Sequence, residues 1–211
     1  MELLKKFGIL QLLLIMLLSG KVYGQGFDKQ IKAFQESYIS EASGEYTVAI
    51  NKLREVYSEN SYEINLRLGY LCYLSGKFTE SIAYYNKSIS LLPLSIEARL
   101  GYVLPAAAMG NYNQVLTQYA KILEITPNNS IVMHRIGLIY YGKENYTEAE
   151  KYFEKVVNLY PFDYDALTML AWTKYRLGKT REAKVLFYKA LLNTPNGSSA
   201  TEGLDILSRT E

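Results

Sequence analysis

The chain has 211 residues, 49% hydrophobic and 21% charged, with a formal net charge of +2. That balance is ordinary for a folded soluble protein and lacks the electrostatic footprint of a nucleic-acid binder. One Cys and one His cannot supply a disulfide framework, nor a metal cluster of those ligand types. Tyrosine is the compositional outlier, with 20 copies against 7 Phe and 1 Trp. Its ring packs while its hydroxyl stays wet, so this excess predicts large half-buried surfaces.

The first element, residues 1–24, reads as a secretory signal peptide. Lys5 and Lys6 precede the uncharged run Phe7–Gly20, and small residues stand at the −3 and −1 positions, Val22 and Gly24. The 14-residue run is short of the ~20 residues that span a bilayer, so membrane attachment is expected only if the segment stays uncleaved. No Cys follows the run, which argues against a lipid-anchored lipoprotein. The segment holds Lys5, Lys6, Lys21 and Glu2, so its removal leaves acids and bases in balance. Export without disulfides points to the periplasm or cell surface of a bacterium.

Beyond it the chain is periodic. Pro93, Pro127, Pro161 and Pro195 are each 34 residues apart. A step of this size marks stacked helical units rather than a single-core enzyme. Small residues recur at Gly69, Gly137 and Ala171, with Val103 as the exception. A turn Gly recurs at Gly76, Gly110 and Gly178, with Glu144 in its place in one row. Aromatics recur at Tyr85, Tyr119, Phe153 and Phe187. Small residues let helices approach, the turn Gly accepts a left-handed backbone, the aromatic fills the space between helices, and Pro ends the second helix. Ala149, Tyr152, Phe153, Val156, Val157 and Tyr160 carry helical spacing, while Glu148, Glu150 and Glu154 are expected on a solvated face. Pro105 falls inside a first helix, at a cost of about 3 kcal/mol unless the helix bends, and Gly101 is the residue expected to absorb that bend.

In these columns the chain resembles the tetratricopeptide-repeat (TPR) family, best in Ser130–Asp163 with Gly137, Tyr140, Tyr146, Ala149, Phe153 and Pro161. The resemblance implies an all-α fold: a right-handed α-solenoid of about five helix-turn-helix repeats with first helices lining the concave face. The boundaries that follow are a degenerate repeat at 28–61, repeats at 62–95, 96–129, 130–163 and 164–197, and a capping helix at 198–211. The first helix of the degenerate repeat, with Ile31, Phe34 and Tyr38, matches the pattern poorly.

A search for chemistry finds no GxSxG, HExxH, P-loop or GxGxxG motif, and no metal-ligand spacing around His134. No enzyme, cofactor or metal is expected, and Cys72 reads as a buried small hydrophobe. Projecting the first helices onto the concave face gives a candidate binding strip of Tyr70, Tyr73, His134, Leu138, Tyr141, Trp172 and Tyr175. Tyr and Trp dominate binding hot spots, so a protein or peptide partner is the expected ligand. The members that clamp acidic chaperone tails use Lys, Asn and Arg along this face. Leu66, Tyr70, Leu104 and Trp172 hold those places here, which disfavours that ligand class. The reading is an exported, non-catalytic scaffold, with an envelope or secretion complex as its setting. A carbohydrate- or peptidoglycan-binding module is the alternative, because aromatic faces also stack on sugar rings.

Overall fold

The computed structural model describes residues 27–209; the signal-peptide segment lies outside the described residues. Eleven helices and no strand are found among them. Helix α1 covers 27–42, followed by α2 (Tyr46–Arg54), α3 (Tyr62–Leu74), α4 (Phe78–Leu91) and α5 (Ile96–Ala108). Then come α6 (Tyr112–Ile125), α7 (Ser130–Gly142), α8 (Tyr146–Leu159), α9 (Tyr164–Arg176), α10 (Thr180–Asn193) and α11 (Ser198–Arg209). The chain forms two compact units, the first ending at Met109 and the second starting at Gly110.

The helix starts repeat with the same step as the prolines. Two residues after Pro93, Pro127 and Pro161 stands a side chain that caps the next helix. Ser95 accepts from the Ala98 N–H at 3.0 Å, Asn129 from Val132 at 3.0 Å and Asp163 from Ala166 at 2.8 Å. Ser61 does the same for Ile64 at 3.3 Å. Each such bond satisfies one of the orphan donors of a helix N-terminus, worth about 1 kcal/mol.

The turn from first to second helix is a Schellman closure. After α3, the Gly76 N–H reaches the Tyr73 carbonyl at 3.0 Å and the Lys77 N–H reaches Cys72 at 2.8 Å. This closure puts one residue in the left-handed region, and Gly76 sits there at φ +75°. After α7 the same pair of bonds forms, from Glu144 to Tyr141 and from Asn145 to Tyr140, both at 2.9 Å. Glu144 takes the position at φ 58° despite its Cβ. An L side chain is penalised there by about 1–2 kcal/mol. Glu144→Gly is therefore expected to stabilise the second unit by up to about 1 kcal/mol, the gain being trimmed by glycine's entropy in the unfolded chain. A rise in the urea midpoint at unchanged slope would show it.

The core of each unit is built on an aromatic ring from a second helix, pressed against small residues of first helices. Tyr85 of α4 is 2% exposed and lies on Gly69 and Gly101. Phe153 of α8 lies on Gly137, and Phe187 of α10 on Gly203. A Cβ at Gly101 would come within 2.2 Å of the Tyr85 ring. Gly101 thus makes room for a neighbour, where the sequence suggested relief for Pro105. Pro105 itself is buried within α5, which runs unbroken to Ala108. Cys72 is fully buried in the core of the first unit, and desolvation pushes its thiol up to about 11. That suppresses thiolate chemistry at neutral pH.

Candidate functional site

In the first unit, the first helices expose apolar and aromatic side chains. Tyr38 of α1 is 55% exposed, while Tyr70 of α3 and Leu104 of α5 are each 36% exposed. Tyr73 is half-buried, its ring 6.0 Å from Phe78, so it serves packing as well as surface. The larger feature was missed by the sequence reading. Phe27, Ile31, Phe34 and Tyr38 of α1 line a hollow of about 630 Å³ with Gln30, Gln35, Ser61 and Glu63. Their 4-3-4 spacing is a helical seam, and that spacing was the available signal. Phe34 also packs on the core beneath, and the Arg67 guanidinium lies 3.8 Å from the Tyr38 ring centroid. Arg67 is paired with Glu41, so the stacked charge is already neutralised.

The second unit holds the other five residues of the predicted strip. Leu138 is exposed and lines a hollow of about 340 Å³ with Tyr112, Ile139, Gly142 and Lys143. Tyr141 is half-buried, edge-on to Tyr146 at 5.2 Å. Trp172 and Tyr175 do meet, at 5.9 Å, but Trp172 also lies 5.0 Å from Phe187. The Trp172 indole N–H donates to the Ser199 hydroxyl at 2.8 Å. Its polar edge is therefore engaged by α11, and part of its face belongs to the core.

His134 stands half-buried on α7, its ring edge-on to Phe153 at 5.5 Å. Its Nε2 is buried and has no hydrogen-bond partner among the described residues. Burial lowers its pKa, with Asp165 and Asp163 pulling the other way. The imidazole is thus neutral in the folded state at pH 7. A depressed folded-state value means its contribution is complete above the ordinary imidazole pKa of about 6.5 and is lost as pH falls below it. Stability is expected to decline between about pH 7 and 5, and His134→Gln should flatten that decline in pH-dependent melting.

The acids of α8 are not uniformly solvated. Glu150 is 9% exposed and meets Lys174 at 2.5 Å and Lys179 at 2.7 Å. Lys174 also reaches Glu154 at 2.7 Å and Glu182 at 2.8 Å. The sequence placed Glu150 on a polar face; the packing of α9 against α8 buries it. Among the described residues there is no group of three or more His, Cys, Asp or Glu that could hold a metal ion. No helix there is long and apolar enough to cross a membrane.

Models of the tetratricopeptide repeat match residues 41–96, 130–163 and 165–196, together more than half of the chain. No curated protein matches it by sequence. Among solved structures it is similar to a tetratricopeptide repeat protein from Parabacteroides merdae, at 20% identity and TM-score 0.72, covering 85% of this chain and 72% of that one. It is also similar to the MamA protein at 18% identity and TM-score 0.68, covering 79% of this chain and 92% of that one. MamA from Desulfovibrio magneticus matches at 18% identity and TM-score 0.67, covering 81% and 98%. Likeness at these identities speaks for the fold, which the helix pairs, Schellman turns and aromatic wedges also carry. Repeats of this kind are typically non-catalytic scaffolds for other proteins, and the chain belongs to the tetratricopeptide-repeat family.

Proposed function

We propose that the chain is an exported, non-catalytic scaffold that binds a protein or peptide partner through the exposed faces of its first helices, within an envelope or secretion complex. The observation that carries this is the α1 hollow, where Phe27, Ile31 and Tyr38 stay largely exposed beside Phe34. Monomeric proteins seldom leave such clustered apolar surface uncovered without a binding role. Tyr70 and Leu104 extend the exposed apolar character to α3 and α5 of the same unit. In the second unit, Leu138 and Tyr141 are the accessible members of the strip, and Trp172 stiffens its end. Because Phe187 and Tyr175 already pack around the Trp172 ring, side-chain burial of a partner on the neighbouring surface fits this face better than sugar stacking on the indole. The basic start and apolar run of residues 1–24 support export to the periplasm or cell surface of a bacterium.

The test is affinity purification of the chain starting at Gln25 from its own envelope fraction. Ile31→Asp and Tyr38→Ala, both exposed positions on α1, are compared with Val185→Asp, an exposed position on α10. Burial of one apolar anchor contributes about 2 kcal/mol, so the α1 variants should lose the partner by more than ten-fold while the α10 variant keeps it. Equal recovery by all variants would move the binding face elsewhere.

A further inference from the structure

The outward face of α1 is symmetric about its own midpoint. Reading inward from both ends, an aromatic stands at Phe27 and Tyr38, a glutamine at Gln30 and Gln35, and a large apolar residue at Ile31 and Phe34. The apolar positions form a helical seam, and each residue class recurs at the mirrored place. A second α1 can be laid antiparallel to it, on a two-fold axis level with the junction of Lys32 and Ala33. Phe27 then stands level with Tyr38 of the second copy, and Ile31 level with Phe34 of the second copy. Antiparallel helices interdigitate such seams as knobs into holes. An interface between two copies on a two-fold axis demands one patch that is complementary to itself. The flanks meet the same demand. A glutamine amide both donates and accepts, so Gln30 and Gln35 bring no like charge towards a copy of themselves. Other charges of α1 are engaged within the unit: Glu36 pairs with Lys32 at 3.8 Å and with Lys52 at 3.1 Å, and Glu41 pairs with Arg67. Glu63, at the rim of the hollow, is exposed and accepts from the Ser61 hydroxyl at 3.0 Å. The inner side of α1 is already taken, with Ala33 and Ser37 buried.

We infer that the α1 face pairs with a second copy of the chain, antiparallel and on a two-fold axis. This rests on the reading of the α1 hollow as a protein-binding face, and names its occupant. Phe27, Ile31 and Tyr38 are 64%, 54% and 55% exposed. Side chains of this size offer roughly 150–250 Å², so each brings about 100 Å² to the contact. With these three residues alone, two copies cover about 600 Å². Gln30, Gln35 and the open edge of Phe34 add to that. The sum falls among weak, transient interfaces, below the roughly 1,600 Å² of standard stable complexes. The pair therefore forms and parts with concentration. A chain concentrated within an assembly is paired, while the same chain diluted is single.

The experiment uses the chain starting at Gln25, which keeps every described helix. Sedimentation velocity between about 1 and 500 μM should show a monomer giving way to a dimer. No larger species should follow, because a two-fold contact closes on itself. Ile31→Glu enters the contact twice and should weaken the dimer by at least about ten-fold, while Val185→Asp leaves it unchanged. Both positions are exposed, and an unaltered circular-dichroism melt confirms that the fold is kept. Orientation is read by disulfide crosslinking. Cys72 is fully buried, so the introduced thiols are the accessible ones. Phe27→Cys and Tyr38→Cys chains, mixed and oxidised, should crosslink to each other. Neither should crosslink to itself, since each position then lies about 16 Å along the axis from its own copy, beyond disulfide reach. A monomer across the whole concentration range would overturn the proposal. So would a dimer that Ile31→Glu leaves intact, or crosslinking of either chain with itself. Open-ended larger species would set α1 against a different face of the next copy and overturn it too. Recovery of other proteins from the envelope fraction is read separately. If the α1 variants lose such a protein while the chain stays monomeric, the binding role stands and the pairing falls. If the dimer forms and no recovery depends on α1, the pairing stands and the wider scaffold role falls.

Discussion

Lys174→Ala is expected to destabilise the second unit by about 3 kcal/mol or more, as removal of one member of a buried charge network does. The Lys174 side chain is 9% exposed and that of Glu150 is 12% exposed. Burial alone would favour a neutral lysine, but bonds from Glu150, Glu154 and Glu182 outweigh it and raise the ammonium's pKa. For Glu150, burial works against the charged form, and the bonds from Lys174 and Lys179 outweigh it to lower the carboxyl's pKa. Without Lys174, Glu150 would keep only Lys179, whose side chain is 40% exposed. Urea unfolding should show the loss as a lower midpoint. The pair Lys174→Met with Glu150→Gln should recover most of it, because the cost lies in the orphaned charge rather than in the missing attraction. A single-variant loss below about 1 kcal/mol would mean that water screens the network as it does surface pairs. The sign of the pH effect follows from the lowered Glu150 value. Its stabilisation is present at neutral pH and fades as pH falls through the ordinary carboxylate range.

The second large effect concerns the aromatic wedges. Gly→Ala inside a helix normally gains about 1 kcal/mol from propensity. That gain should survive at Gly142, where an added Cβ meets nothing within 4 Å. At Gly69 the Tyr85 ring stands 3.1 Å from the added Cβ, and gain and crowding should nearly cancel. At Gly137 the nearest Phe153 atom is at 2.7 Å, and at Gly101 the nearest Tyr85 atom is at 2.2 Å. Both rings are buried, so they must shift against packed neighbours, and overpacking of this kind costs about 1–3 kcal/mol. The expected order of stability is Gly142→Ala highest, then Gly69→Ala, Gly137→Ala and Gly101→Ala. Thermal melting of the four variants checks it. Trimming Phe153 to Leu should relieve Gly137→Ala in a double-mutant cycle while leaving Gly101→Ala unaffected.

Much of the local grammar was readable from residues alone, because each feature is set within one or two turns of backbone. The prolines mark helix ends because they cannot donate to the ladder. The turn glycines mark Schellman closures because the closure demands a positive φ. The N-caps at Ser61, Ser95, Asn129 and Asp163 are just as local in origin, but the structure is what identified them. Glu144 was legible in the same column, and the same local closure after α7 holds it at a left-handed position despite its Cβ. The candidate residues fall on first helices as expected, but their exposure was not legible. Tyr70 and Leu138 are open, whereas Trp172 is shared between surface and core because α11 and Phe187 pack around it.

The sequence by itself determined the all-α repeat architecture, through a 34-residue period whose capping, turn and stop residues act on neighbouring backbone. Only the tertiary structure decided three further things. Glu150 became buried when α9 and α10 brought Lys174 and Lys179 against α8. Gly101 became a packing site because α4 lays the Tyr85 ring across it. The outward seam of α1, which matched the repeat pattern poorly, emerged as an apolar hollow once α3 set Ser61 and Glu63 beside it. All three depend on which helices pack together, and residues on different helices meet only after that packing is made.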